Sequence, residues 1–144
     1  SMVLGCLRKE IHIDKQLWCI PGKRMKARYD HTVALSNEAT RLIETQMRKH
    51  NRQLIFENPH VGGPLSNNAM RSLLIKRFPE HRITTHGFRS TFRDWAAEET
   101  SFSREVIEHC LAHQLKDKSE AAYQRSTTLN KRARLMQDWC DYLN

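Results

Sequence analysis

The 144 residues carry 24 Lys and Arg against 16 Asp and Glu, a formal charge of +8, and are 39% hydrophobic and 28% charged. That balance excludes an intrinsically disordered chain. No apolar run reaches the ~20 residues of a membrane span, and the start lacks the charged stretch and apolar core of a signal peptide. The positive excess points to a polyanionic partner, nucleic acid above all, although charge alone does not separate that from a solvated basic surface.

Residues 2–144 read as one domain, with Ser1 set aside. In chain order, Ile11 and Ile13 mark a first strand, and Leu17-Trp18-Cys19-Ile20 is a second, stopped by the turn signal Pro21-Gly22. A basic stretch, Lys23 to Arg28, precedes a returning strand at Thr32-Val33-Ala34-Leu35. Ser36 is placed to N-cap a helix through about His50, with Glu38 in its first turn. Leu54-Ile55-Phe56 is a brief extended run, and Asn58 to Pro64 is a Gly/Pro/Asn loop. Ser66 is expected to cap the next helix, with Leu65 stapling Met70, and Pro79 ends it near Phe78.

The remainder reads as helical. One helix spans about Thr85 to Glu99, with Phe88, Phe92 and Trp95 as its core anchors. Another follows Ser103, where Phe102 can staple Ile107 and the stripe is Val106, Ile107, Cys110 and Leu111. A third, short helix holds Tyr123. The last starts near Leu129, with Ala133, Met136, Trp139, Cys140 and Leu143 on one side. The fold class is therefore mainly α with a small antiparallel β-sheet. Cys6, Cys19, Cys110 and Cys140 form no C-x-x-C pair, so neither a zinc clip nor a redox motif is indicated, Cys110 and Cys140 read as buried thiols, and a reducing cytoplasm fits.

The segment from His86 to Trp95 is the most informative. At about 100° per residue, His86, Arg89 and Arg93 lie within roughly 60° of one another. Three aromatics on the other side would hold this cationic edge in place. By itself the pattern also describes a plain amphipathic helix with a solvated face. His109 and His113 are spaced i,i+4 and could share a helix face, but Cys110, Leu111 and Ala112 between them do not make H-E-x-x-H, so the spacing argues against a metal site. Tyr123, ten positions beyond His113, is by itself an ordinary packing tyrosine.

The ordered set His86-x-x-Arg89, Leu111-Ala112-His113 and Ala122-Tyr123 resembles the C-terminal signature of the tyrosine recombinase (phage integrase) family. Thr85-His86-Gly87-Phe88-Arg89 through Trp95, and the tail Arg132 to Met136 followed by Trp139, are similar to the integrases of satellite prophages and genomic islands. Trp18-Cys19-Ile20-Pro21, Met25-Lys26, His31 and Leu35-Ser36 resemble that subgroup's β-hairpin with its catalytic lysine. The similarity covers nearly the whole chain.

The resemblance implies site-specific DNA recombination through a 3′-phosphotyrosyl intermediate, with no cofactor and no metal. It makes Tyr123 the nucleophile, His86 its base, Arg89 and His113 donors to the phosphate oxygens, and Lys26 the acid for the 5′-oxygen. Lys23, Arg24, Arg28 and Arg93 are candidates for DNA-backbone contacts. Implied partners are double-stranded DNA and, in the full-length protein, further copies in a synaptic tetramer, with no membrane; the implied location is the bacterial cytoplasm, at the nucleoid. Trp139 is expected either in its own core or docked on a neighbouring copy.

The family has a further catalytic arginine on a helix upstream of the hairpin. Arg8 is the only arginine before Arg24, and its setting, Leu7-Arg8-Lys9-Glu10-Ile11, resembles the sheet entry after that helix. The expectation is a partial catalytic domain, lacking that helix and the N-terminal DNA-binding domains and impaired in isolation. A non-catalytic DNA-binding remnant is the alternative. A His-dependent metal endonuclease built on His109 and His113 is a weaker one.

Overall fold

The computed structural model describes residues 2–113 and 128–144. A 3₁₀ turn at Arg8–Glu10 leads into a three-stranded antiparallel sheet, β1 (Ile11–His12), β2 (Leu17–Ile20) and β3 (His31–Ala34), in that spatial order. The register pairs Trp18 with Ile11 on one side and Val33 on the other, and Ile20 with His31. Alternation along β2 sends Trp18 and Ile20 inward, where they join Cys6, Ile11, Met25, Leu35, Ile43 and Ile55 in one apolar core.

Helix α1 (Asn37–Arg48) starts where the sequence places it: the Ala39 N–H donates to Ser36 Oγ at 3.3 Å. Its far end is finished by Arg8, whose guanidinium donates to the carbonyls of Met47 and His50, and at 3.2 Å to that of Arg52. The last carbonyls of a helix have no partners inside it, so this arginine answers a backbone requirement.

Helix α2 (Ala69–Arg77) corrects one expectation. Asn68, not Ser66, holds the N-cap position and gives no side-chain bond. Ser66 instead accepts the Ala69 N–H through its backbone carbonyl. No residue of α2 is buried. A cap signal without an apolar stripe behind it does not fix a helix start, because packing supplies most of a short helix's stability.

A second core joins α3 (Gly87–Glu99), α4 (Arg104–Cys110) and α5 (Leu129–Leu143) through Phe92, Ala96, Val106, Ile107, Leu111 and Leu135, with Trp95, Phe102, Cys110, Met136 and Trp139 packed on them. Three anchors differ from the sequence reading. Phe88 is 58% exposed, because the covered stripe of α3 begins one turn later at Phe92. In α5 the buried positions are Arg132 and Leu135, whereas Ala133 and Leu143 face outward. Trp139 packs within its own chain, 5.7 Å from the Phe92 ring and 4.9 Å from that of Trp95.

Arg132 joins the two cores. Its Nη1 donates to the Thr32 carbonyl of β3 at 2.6 Å. The Asn37 N–H likewise donates to Gln137 Oε1 at 2.9 Å. No helix among the described residues is long and apolar enough to cross a membrane. The short helix expected around Tyr123 lies outside the described residues.

Candidate active site

Entry into α3 is set by Thr84, whose Oγ1 accepts the Gly87 N–H at 3.0 Å. That places His86 at the exposed N-cap position, with Arg89 and Arg93 following on successive turns. Phe92 and Ala96 bury the opposite side. The helix is thus clamped on one side and presents His86 and two guanidinium groups on the other.

Helix α4 ends in a way that aims His113. Leu111 closes the helix, and Ala112 takes φ 55°. The Ala112 N–H donates to His109 O at 3.1 Å and the His113 N–H to Glu108 O at 3.0 Å. These two bonds, with a left-handed residue between helix and exit, define a Schellman cap. Alanine fills a place that glycine usually takes. The chain reverses there, so His109 and His113 do not share a helix face, contrary to their i,i+4 spacing. Among the described residues, no three His, Cys, Asp or Glu side chains gather as a metal site.

The reversal carries His113 onto Arg89. Arg89 Nη2 lies 2.9 Å from His113 Nε2 and donates to the Leu111 carbonyl at 2.6 Å. On the other edge of the ring, His113 Nδ1 is hydrogen-bonded to Glu108 Oε2. The second oxygen of Glu108 accepts from Arg93 Nε at 2.8 Å. Arg89, His113, Glu108 and Arg93 form one continuous chain of contacts. Glu108 is 7% exposed. Its hydrogen bond with His113 holds its carboxyl below the usual range, and the Arg93 contact adds to this against the opposing effect of burial.

Glu108 escaped the sequence reading because α4 was read for its apolar stripe, on which an acidic residue has no expected role. The available signal was a Glu next to Ile107 and one turn before Leu111, on the covered side of a short helix.

The hairpin loop between β2 and β3 holds the other candidates. Met25 is buried beneath it, while Lys23, Lys26 and Arg28 are exposed. Gly22 donates its N–H to Asp30 Oδ1 at 2.7 Å. A Cβ at Gly22 would lie 2.6 Å from the Arg28 carbonyl oxygen, so the loop closes only over glycine. Arg28 itself takes φ 61°.

Arg24, grouped by sequence with the DNA-facing cations, turns inward. It pairs with Glu10 and donates to Met2 O at 2.9 Å. Glu10 also receives the Trp18 indole N–H and the Leu7 N–H, each at 3.2 Å. Burial alone would raise the Glu10 carboxyl, but these donors, Arg24 foremost, hold it below its ordinary range. No hydrogen bond among the described residues ties Lys26 to the Arg89–His113 group. Tyr123 lies outside the described residues.

At the join of sheet and helices stands His31, opposite Ile20 in the register. Burial, and then the positive neighbours Arg132 and His109, push it down to about 4.

A cationic helix edge and a histidine held between carboxylate and guanidinium make a group suited to an oxyanion. Residues 4–129 match the family model for the phage integrase family. The chain belongs to that family. It is 34% identical over 134 residues to the prophage integrase IntA of Escherichia coli (strain K12), covering 92% of this chain and 32% of that protein. It is 31% identical over 152 residues to the integrase of Enterobacteria phage P4, covering 94% and 35%. With prophage integrase IntZ of E. coli (strain K12) the figure is 30% over 140 residues, covering 96% and 35%. The chain therefore spans about a third of the length of these relatives. No solved structure matches it.

Proposed function

We propose that this chain carries the strand-cleaving chemistry of a tyrosine site-specific recombinase. The observation behind the reading is the contact between Arg89 and His113, 24 residues apart in sequence and 2.9 Å apart in space, in a member of the phage integrase family. Double-stranded DNA at an attachment site is the substrate, and further copies assemble on it in a synaptic tetramer. The protein acts in the bacterial cytoplasm, at the nucleoid.

In this reading the Tyr123 oxygen attacks phosphorus and the phenolic proton passes to His86. A phenol titrates near pH ~10, so it needs that base at neutral pH. Charge gathers on the non-bridging oxygens, where Arg89 offers a planar fork and His113 a further donor. The P–O5′ bond breaks, and Lys26 gives its proton to the departing oxygen. The phosphotyrosyl ester conserves the bond energy for rejoining, so neither ATP nor an added cofactor is consumed. Lys23 and Arg28 hold the DNA backbone, and Arg93 contributes through the free edge of its guanidinium.

Arg8 favours a second reading for the isolated chain. Its guanidinium is spent on the carbonyls of Met47 in the last turn of α1 and of His50 and Arg52 just beyond it, so it is not a second phosphate-facing arginine. Loss of one such cation costs about 10²–10³-fold in rate. The second reading is therefore a non-catalytic DNA-binding remnant, which binds DNA through its basic surface without cutting it.

The experiment uses a nicked suicide duplex carrying the attachment site. It is offered to this chain and to a protein of its relatives' length that contains it. A covalent protein–DNA adduct that disappears in Tyr123→Phe is the expected result for the longer protein. An adduct that survives Tyr123→Phe rejects the assignment, and salt-sensitive binding with no adduct in either protein selects the remnant.

A further inference from the structure

Glu108 grips His113 twice. Its backbone carbonyl accepts the His113 N–H at 3.0 Å, and its side chain is hydrogen-bonded to His113 Nδ1. Its remaining oxygen is occupied by Arg93 at 2.8 Å. A carboxylate so placed accepts only, so the proton of this contact sits on Nδ1. The opposite nitrogen, Nε2, faces Arg89 Nη2 at 2.9 Å. A guanidinium nitrogen donates only, so Nε2 must lack a proton in this arrangement.

The resting contact therefore conflicts with the use of His113 as a donor to an anion. Both hydrogens of Arg89 Nη2 are engaged, one on Leu111 O and one on His113 Nε2. An oxyanion that enters between Arg89 and His113 takes the Arg89 hydrogen. It leaves the lone pair of Nε2 pointing at negative charge. That repulsion turns into attraction if Nε2 takes up one proton from solvent. The ring is then a cation, with Glu108 on one side and the anion on the other. The charged groups facing the ring are Glu108 from α4 and Arg89 from α3, with Arg93 of α3 reaching it through Glu108.

We infer that Glu108 is a positioning residue that couples anion binding at Arg89 to the uptake of one proton by His113. The inference rests on the strand-cleavage reading only in taking a DNA phosphodiester as the natural anion. The Arg93 contact has its own part: it holds the carboxylate ionised and fixed in rotation, so that the ring cannot flip without breaking a second bond.

The test uses sulfate as the probe, because sulfate does not titrate near neutrality, and reads the His113 ring nitrogens of the whole chain by ¹⁵N NMR. Without sulfate the ring is expected to carry its proton on Nδ1. With sulfate Nε2 becomes protonated, and affinity rises as pH falls, by up to about tenfold per pH unit for one linked proton. Glu108→Gln should lose the tautomer preference and flatten that pH dependence while Arg89 still binds sulfate weakly. Glu108→Asp, which keeps the carboxylate, should restore part of it.

A free chain protonated on Nε2 overturns the inference without any variant, so a Glu108→Gln protein that failed to fold would not protect it. Equal pH dependence in wild type and Glu108→Gln overturns it, as does a ring unchanged by saturating sulfate or an absence of saturable binding. If the longer protein also forms no covalent adduct while the linked proton is seen, the cleavage reading fails and this inference stands.

Discussion

Ala112 is the residue on which the aim of His113 turns. A left-handed backbone costs an L-residue about 1–2 kcal/mol and is worst for β-branched side chains. Ala112 already carries that cost, so Ala112→Val should lower stability further, by about 1 kcal/mol for the β-branch, seen as a shift of the urea midpoint with unchanged slope. The same variant should loosen the His113–Glu108 contact, visible as a change in the ring's nitrogen shifts. Unchanged stability would mean that the cap is not what holds this turn. Residues of this kind were the least legible in the sequence. Glycine announces a helix exit, whereas Ala112 reads as helix, which is why the spacing of His109 and His113 leaves a shared face open in sequence. Arg8, Arg24 and Arg132 are all arginines whose roles depend on carbonyls or carboxylates far away in sequence. Nothing local distinguishes them from surface cations.

At the scale of elements the sequence was more informative, for a physical reason. Alternation in Leu17–Ile20, the Ser36 cap and the stripe Val106, Ile107, Leu111 are local signals of burial, and burial decides these elements. The signal failed where an apolar residue was on the right face but beyond its neighbours, as with Phe88. Leu135 illustrates the opposite case: fully buried between α3 and α4, it is a keystone of the second core. Leu135→Ala should cost about 2–5 kcal/mol, read from chemical denaturation. Because Arg132 and Gln137 of the same helix hold β3 and the start of α1, the loss should also expose hairpin amides to hydrogen exchange. Loss of protection confined to α5 would show that the two cores are energetically separate.

For the molecule as a whole, three perturbed groups give one direction of pH dependence. Glu10 and Glu108 titrate below the ordinary carboxylate range, so their contribution is present above that range and lost as pH falls through their folded values. His31 is pushed from 6.5 to about 4. Between those values the unfolded chain takes up a proton that the folded chain refuses, and stability again falls with pH. The melting temperature should therefore drop steadily from neutrality toward pH ~4, and His31→Gln should flatten the upper part of that slope. A profile that rises on acidification would contradict all three assignments. The family was legible because its signature is a matter of order and spacing. The network that joins Arg89, His113, Glu108 and Arg93 was not, because it exists only once α3 and α4 have packed.

The bonds Arg132 to Thr32 and Gln137 to Asn37 each span 100 residues. Contacts of such sequence separation form late, since the loop between them must close before they return anything. A nascent chain emerging from the ribosome can complete its hairpin while α5 is still unmade, but cannot fasten it. The hairpin that carries Lys26 is therefore made early and tied to the helices only when α5 arrives.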